Sequence, residues 1–285
     1  MTEVSDTVYR ELQRRAAEFT NGVTQVQLEI YLHERFLARL AQSPYVENFT
    51  LKGGMLLASR RIRPATRDAD VLVDGLELEA ESLTKVLGEL IAIQIDDGVV
   101  FDPSTIRAEP MREAEDYPGL RFSVDASIST AKLKLKVDMS TGDPVDPTRL
   151  EISPMLGGDV FAVNAYGLET VLAEKIETIL SRGDANTRMR DFADVMLIAA
   201  SGEFNEEELR TELARTAAHR GTELVPVEDV LITLPTSRQV AWQRYLEEGF
   251  LEDRLPEDFS VVVSEVADFV RPLVETSAPG AENQL

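Results

Sequence analysis

Two aspartates one residue apart, Asp68 and Asp70, open the alternating segment DADVLVD, and a third, Asp138, lies near the end of another, AKLKLKVD. Successive side chains of a strand point to opposite faces, so Asp68, Asp70, Leu72 and Asp74 share one face and Ala69, Val71 and Val73 the other. Three carboxylates converging from two neighbouring strands would give two Mg²⁺ ions hard oxygen ligands and leave positions open for phosphate and water. Upstream, Gly53-Gly54 separates the strand-like NFTLK from a short helical stretch. Without a Cβ the backbone there can approach a phosphate, and the free N–H groups of a helix start would face it. Arg60, Arg61, Arg63 and Arg67 crowd between these two features.

Each feature alone also has an ordinary reading. A D-x-D pair can be a solvated strand face, Gly-Gly can be a plain turn, and Asp138 with Lys132, Lys134 and Lys136 can be the wet side of an edge strand. Their order sets them apart: strand, Gly-Gly, helix, D-x-D strand, distant third Asp.

The elements that must position these residues follow from periodicity. Residues 5–43 predict two helices broken at Asn21-Gly22, then the strand NFTLK, the helix MLLASRRI ended by Pro64, and the DADVLVD strand. A helix over about 78–92 and strands at GVVFD, LRFSVDASI, AKLKLKVDMST and GGDVFAVNA complete an α/β half. From Gly167 the pattern is helical: GLETVLAEKIETILSR, NTRMRDFADVMLIAAS, NEEELRTELARTAAH, a linker with Pro226 and Pro235, SRQVAWQRYLEEG and EDFSVVVSEVADFVRPLVE. The expected organisation is a mixed α/β core with N-terminal helices over 1–165, a helical domain over 166–276 and a flexible tail over 277–285.

Composition narrows the chemistry. There is no cysteine, which excludes disulfides, thiolate metal sites and a cysteine nucleophile, and two histidines cannot build a His-rich metal centre. A net charge of −22 argues against a surface that binds nucleic acid as a whole. A polyanion would need a local patch, for which Arg60, Arg61, Arg63, Arg67, Lys132, Lys134, Lys136, Arg188 and Arg190 are candidates. No leader-like start and no membrane-length apolar run is present, and a cytoplasmic protein is expected. His33 and His219 have no visible partners in the sequence, and Trp242 reads as core. In the first helix of the second half, Lys175 and then Arg182 fall on the stripe of Leu168, Val171, Leu172 and Ile179. Either their stems pack with the heads in water, or the heads serve a site.

The segments LKGGMLL, RPATRDADVLV, KLKVDMSTGDPV, LETVLAEKIETILSRG, NTRMRDFADVMLIA and AWQRYL resemble the AbiEii/AbiGii nucleotidyltransferase-like toxins of bacterial toxin–antitoxin systems, including the MenT-type enzymes. The resemblance implies a nucleotidyltransferase-like mixed sheet with flanking helices. It implies that Asp68, Asp70 and Asp138 hold the catalytic Mg²⁺, with Asp138 able to help deprotonate the acceptor. Lys52, Gly53 and Gly54 would cradle the triphosphate of an NTP, with Thr66, Arg67 and Arg182 near it. Lys175 would face the phosphates and Asp191 would orient Lys175 or Arg182, while Arg190 and Asp194 would at most form a surface pair. The implied reaction moves a nucleoside monophosphate onto RNA, the tRNA 3′ end by analogy, with growth inhibition as the outcome and a cognate antitoxin as partner. In some relatives a residue at the position of Thr66 is phosphorylated on neutralisation. Two other readings stand beside this one: transfer to a small molecule or protein, and a catalytically silent binding module.

Overall fold

The computed structural model describes residues 2–63, 69–77, 79–111 and 119–275, which form two compact units, one ending at Tyr166 and one starting at Gly167. In the first, helices α1 (Glu3–Phe19) and α2 (Thr24–Ala41) are separated where Asn21 and Gly22 take positive φ, 48° and 84°. Strand β1 (Phe49–Lys52) runs directly into α3 (Gly53–Ser59). This helix is shorter than its periodicity suggests, because Arg61 turns left-handed at φ 60°, before Pro64 is reached. There follow β2 (Ala69–Val73), α4 (Ala80–Ala92), β3 (Val99–Pro110), β4 (Gly119–Ile128), β5 (Ala131–Ser140), β6 (Thr148–Ile152) and β7 (Phe161–Ala165).

Among the described residues the strands make one mixed seven-stranded sheet, ordered β3-β4-β5-β2-β1-β7-β6. The β2–β5 and β1–β7 pairs are parallel and the others antiparallel. Alternation divides the sheet into two faces. Phe122, Val124, Leu135, Val137, Ala69, Val71, Leu51 and Val163 are buried on one, where α2 crosses with Arg39 over the Phe101 ring and Arg35 over Phe161. The other carries Lys132, Lys134 and Lys136, all exposed.

Several expectations are corrected. β5 lies inside the sheet between β4 and β2, so its lysines do not mark an edge strand. β3 continues through Pro103, which is tolerated because the register with β4 shifts between Asp102 and Arg107. β6 was not expected from the sequence; among the described residues it pairs only with β7. Leu72 is buried although it shares a face with Asp70. His33 is fully buried, its Nδ1 and Nε2 lying 2.7 and 3.1 Å from the carbonyl oxygens of Glu29 and Lys136, and so helps join α2 to β5. Asp97 anchors the same helix, accepting from both terminal nitrogens of Arg39 at 2.6 and 3.2 Å and from the Val99 N–H at 3.1 Å.

The second unit contains α5 (Leu168–Arg182), α6 (Met189–Ser201), α7 (Glu206–Arg220), α8 (Val227–Val230), α9 (Leu234–Ser237), α10 (Gln239–Gly249) and α11 (Phe259–Glu275). The expected linker thus holds two single turns, α8 and α9. The start of α9 is fixed by Asp184, which accepts from the N–H groups of Thr233 and Leu234. Asn205 caps α7 by accepting from Glu207 and Glu208, whose charges suit that helix end. Trp242 is core, as expected: it stacks on Phe259 with ring centres 5.2 Å apart, and its Nε1–H donates to the Pro256 carbonyl. No described helix is long and apolar enough to cross a membrane.

Candidate active site

Strand register assembles the centre of the site. Lys52 on β1 is opposite Asp70 on β2, Asp70 is level with Asp138 on β5, and Asp138 is opposite Arg121 on β4. Residues level across neighbouring strands share a face at a spacing of about 4.8 Å. Two acids therefore stand side by side, flanked by a cation at each end. The geometry brings Lys52, Gly53, Asp70 and Asp138 together. Asp68, Thr66 and Arg67 lie outside the described residues.

Gly53 is tied to Asp70 directly. Its φ is +66°, and a Cβ at this position would lie 2.3 Å from Asp70 Oδ2. The glycine is required twice, by its left-handed backbone and by the carboxylate in the space a side chain would fill. Beside it Gly54, Met55, Leu56 and Leu57 are buried, and no side chain caps the first turn of α3.

Three residues that sequence reasoning did not single out complete the row. Arg121 donates through Nε and Nη2 to Oδ1 and Oδ2 of Asp138, both at 2.7 Å. Lys52 Nζ lies 3.2 Å from Asp143 Oδ2, which also accepts from the Tyr166 hydroxyl at 3.2 Å. Tyr166 in turn presents its ring 5.7 Å from the Lys52 ammonium. Arg121 was legible in principle. Ile128 pairs with Ala131 across a tight turn, so counting outwards seven residues along each strand puts Arg121 opposite Asp138. Asp143 sits in the loop after β5 and its contact with Lys52 has no local signature.

The arginine cluster is not the uniform patch its sequence suggests. Arg61 is exposed and Arg60 half-buried, but Arg63 is buried. Of the three lysines on β5, Lys134 pairs with Asp125 at 2.5 Å.

In the second unit, Lys175 does not place its head in water. Its ammonium, 14% exposed, lies 2.7 Å from Asp191 and 3.3 Å from Asp194, carboxylates that are almost fully buried. Asp194 is not the surface residue that spacing suggested: it lies inside the unit, facing Lys175. Arg188 Nε reaches Asp191 at 3.1 Å, while Arg182 is half-buried at the end of α5. Burial pushes the Asp191 carboxyl up, but Lys175, Arg188, the Lys175 hydrogen bond and Arg190 together hold it below the usual carboxylate range.

The profile of the family described as "Nucleotidyl transferase AbiEii toxin, Type IV TA system" matches residues 35–265. The chain belongs to this family. An AbiEii transferase acts on an NTP and has an antitoxin partner, and this member is a nucleotidyl transfer enzyme. Similar solved structures include JHP933 from Helicobacter pylori, at 15% identity, TM-score 0.47, covering 87% of this chain and 94% of that one. A candidate nucleotidyltransferase from H. pylori aligns at 14% identity and TM-score 0.49, covering 87% and 97%. An antigenic nucleotidyltransferase-like protein from Paracoccidioides brasiliensis aligns at 18% identity and TM-score 0.37, covering 68% and 90%. No curated protein matches the chain.

The family suggests a divalent metal, and the donors of this AbiEii chain can be tested for it. Among the described residues no group of three His, Cys, Asp or Glu side chains is arranged to hold an ion. Asp70 and Asp138 nonetheless supply oxygen donors from adjacent strands of one face. Two carboxylates suit a hard cation that keeps its remaining positions for water and phosphate. The donor set fits.

Proposed function

We propose that this AbiEii-family toxin is a Mg²⁺-dependent enzyme that transfers a nucleoside monophosphate from an NTP to the 3′ end of RNA, with tRNA as the acceptor and blocked translation as the consequence. The observation that carries the reading is the level pair Asp70 and Asp138, with Gly53 packed against Asp70. Asp70 and Asp138, joined by Asp68, would hold Mg²⁺, which when bound supplies neutralisation of triphosphate charge and a lowered acceptor pKa. The rest is the work of the chain. Gly53 and Gly54 bring backbone N–H groups close to the triphosphate, and Lys52, steadied by Asp143 and Tyr166, adds a positive charge to it. Thr66 and Arg67 would contact the same nucleotide. Asp138 would accept the proton of the acceptor hydroxyl as its oxygen bonds to the α-phosphorus and pyrophosphate leaves. Within the second unit, Asp191 would set the position of the Lys175 ammonium, a task its 2.7 Å contact suits. Phosphorylation of Thr66 would add up to two negative charges two residues from Asp68 and so oppose NTP binding, one route by which the toxin could be neutralised.

The test is incubation of the purified protein with Mg²⁺, each labelled NTP in turn, and total tRNA. Label should appear on tRNA for at least one NTP, and periodate oxidation of the tRNA 3′ end beforehand should abolish it. Label on protein, or on no RNA at all, would overturn the RNA assignment.

A further inference from the structure

The Arg121–Asp138 contact bears on how the site is loaded, and its interpretation rests on the reading of Asp138 as a metal ligand. One guanidinium fork takes both oxygens of that carboxylate at 2.7 Å. This is the strong bidentate form of a charge-assisted pair. It satisfies the oxygens that a divalent cation would need. The partners differ in exposure: the Asp138 side chain is 11% exposed and held inside the sheet, while that of Arg121 is 46% exposed. Re-aiming the guanidinium therefore costs little desolvation, whereas the aspartate stays in place.

We propose that Arg121 is a positioning residue that gates metal entry. In the metal-free enzyme its guanidinium stands in for the cation, holding Asp138 level with Asp70 and opposing binding of metal alone. When metal and nucleotide arrive together, Arg121 releases Asp138 and its freed fork takes a phosphate oxygen of the NTP. The arginine thus couples the two ligands: metal alone must displace a cation, but metal with nucleotide lets that cation find a new anion.

Mn²⁺ binding, followed by loss of the free-ion electron paramagnetic resonance signal, tests this without turnover. It is measured with and without a non-hydrolysable NTP analogue, for wild type, Arg121→Gln, Arg121→Lys, Asp70→Asn and Asp138→Asn. Arg121→Gln should bind Mn²⁺ alone about tenfold more tightly than wild type and lose most of the tightening that the analogue brings. Arg121→Lys, which keeps the charge and stem but not the fork, should fall between them. If both Arg121 variants bind Mn²⁺ alone as wild type does, or more weakly, Arg121 is a fixed clamp and the gating proposal is overturned while the metal site stands. If Asp70→Asn and Asp138→Asn leave Mn²⁺ binding unchanged, the metal-site reading fails and the proposal fails with it.

Discussion

At Gly53 two demands meet on one residue: a φ of +66° and an Asp70 oxygen 2.3 Å from where a Cβ would lie. Gly53→Ala must therefore strain the backbone and push Asp70 out of its row. It should cost about 1–3 kcal/mol in stability, read as a fall in urea midpoint, and lower nucleotidyl transfer by more than about a hundredfold. Lys175 makes a different prediction. The Asp191 carboxyl is depressed in the folded state, so its stabilisation is present above the unfolded carboxylate pKa and is lost as pH falls through the folded one. Lys175→Met removes the ammonium that contacts both buried carboxylates, Asp191 and Asp194, and should destabilise the protein by up to about 3–5 kcal/mol at neutral pH. The gap to wild type should narrow as pH is lowered below about 4, in denaturant titrations at each pH. A gap that stays constant from neutral pH to pH 3 would remove the charge pairing as its cause. The sequence exposes Lys175 as a cation on an apolar stripe, but its partners sit on the next helix and become visible only when α5 and α6 pack.

The hairpin β4–β5 is the element that determines most of the site. Its register places Arg121 against Asp138, and its parallel neighbour β2 supplies Asp70 at the same level. Strong local alternation made β2, β4 and β5 legible from the sequence, and with them the common face of Asp70 and Asp138. The order of the strands was not legible, because a parallel pairing such as β2 with β5 joins segments far apart in the chain and leaves no local mark. β6 escaped for a related reason: it is five residues long, follows a proline-containing loop and pairs with β7 at the end of the sheet. The second half of β3 was hidden by Pro103, which the register shift accommodates. The sheet also depends on an unanticipated buried ion pair, Arg39 with Asp97, that fastens α2 to the start of β3. Asp97→Ala should cost about 3–5 kcal/mol in global stability, measured by chemical denaturation. A loss under 1 kcal/mol would show that the pair is dispensable to the fold.

For the molecule as a whole the dominant fact is charge, −22 over 285 residues. Such a chain repels RNA except where cations are concentrated, and the exposed Lys132 and Lys136 lie on the same sheet face as Asp138. RNA labelling at subsaturating RNA should then fall steeply with salt. Lys132→Gln and Lys136→Gln should each lower the log–log salt slope by about 0.7–0.9, with a similar loss for all RNA sequences. Activity that is flat from low to moderate salt would favour a small or uncharged acceptor. Family membership makes the chain a nucleotidyl transfer enzyme of a toxin–antitoxin system, and we propose that transfer runs through the level pair Asp70 and Asp138. The most direct test is the single-turnover rate of NMP transfer to RNA by Asp70→Asn and Asp138→Asn, with folding checked by thermal melting. Each variant should lose at least about a thousandfold in rate, with the melting temperature held within a few degrees of wild type. A folded variant of either kind that keeps a tenth or more of the wild-type rate would contradict the proposal.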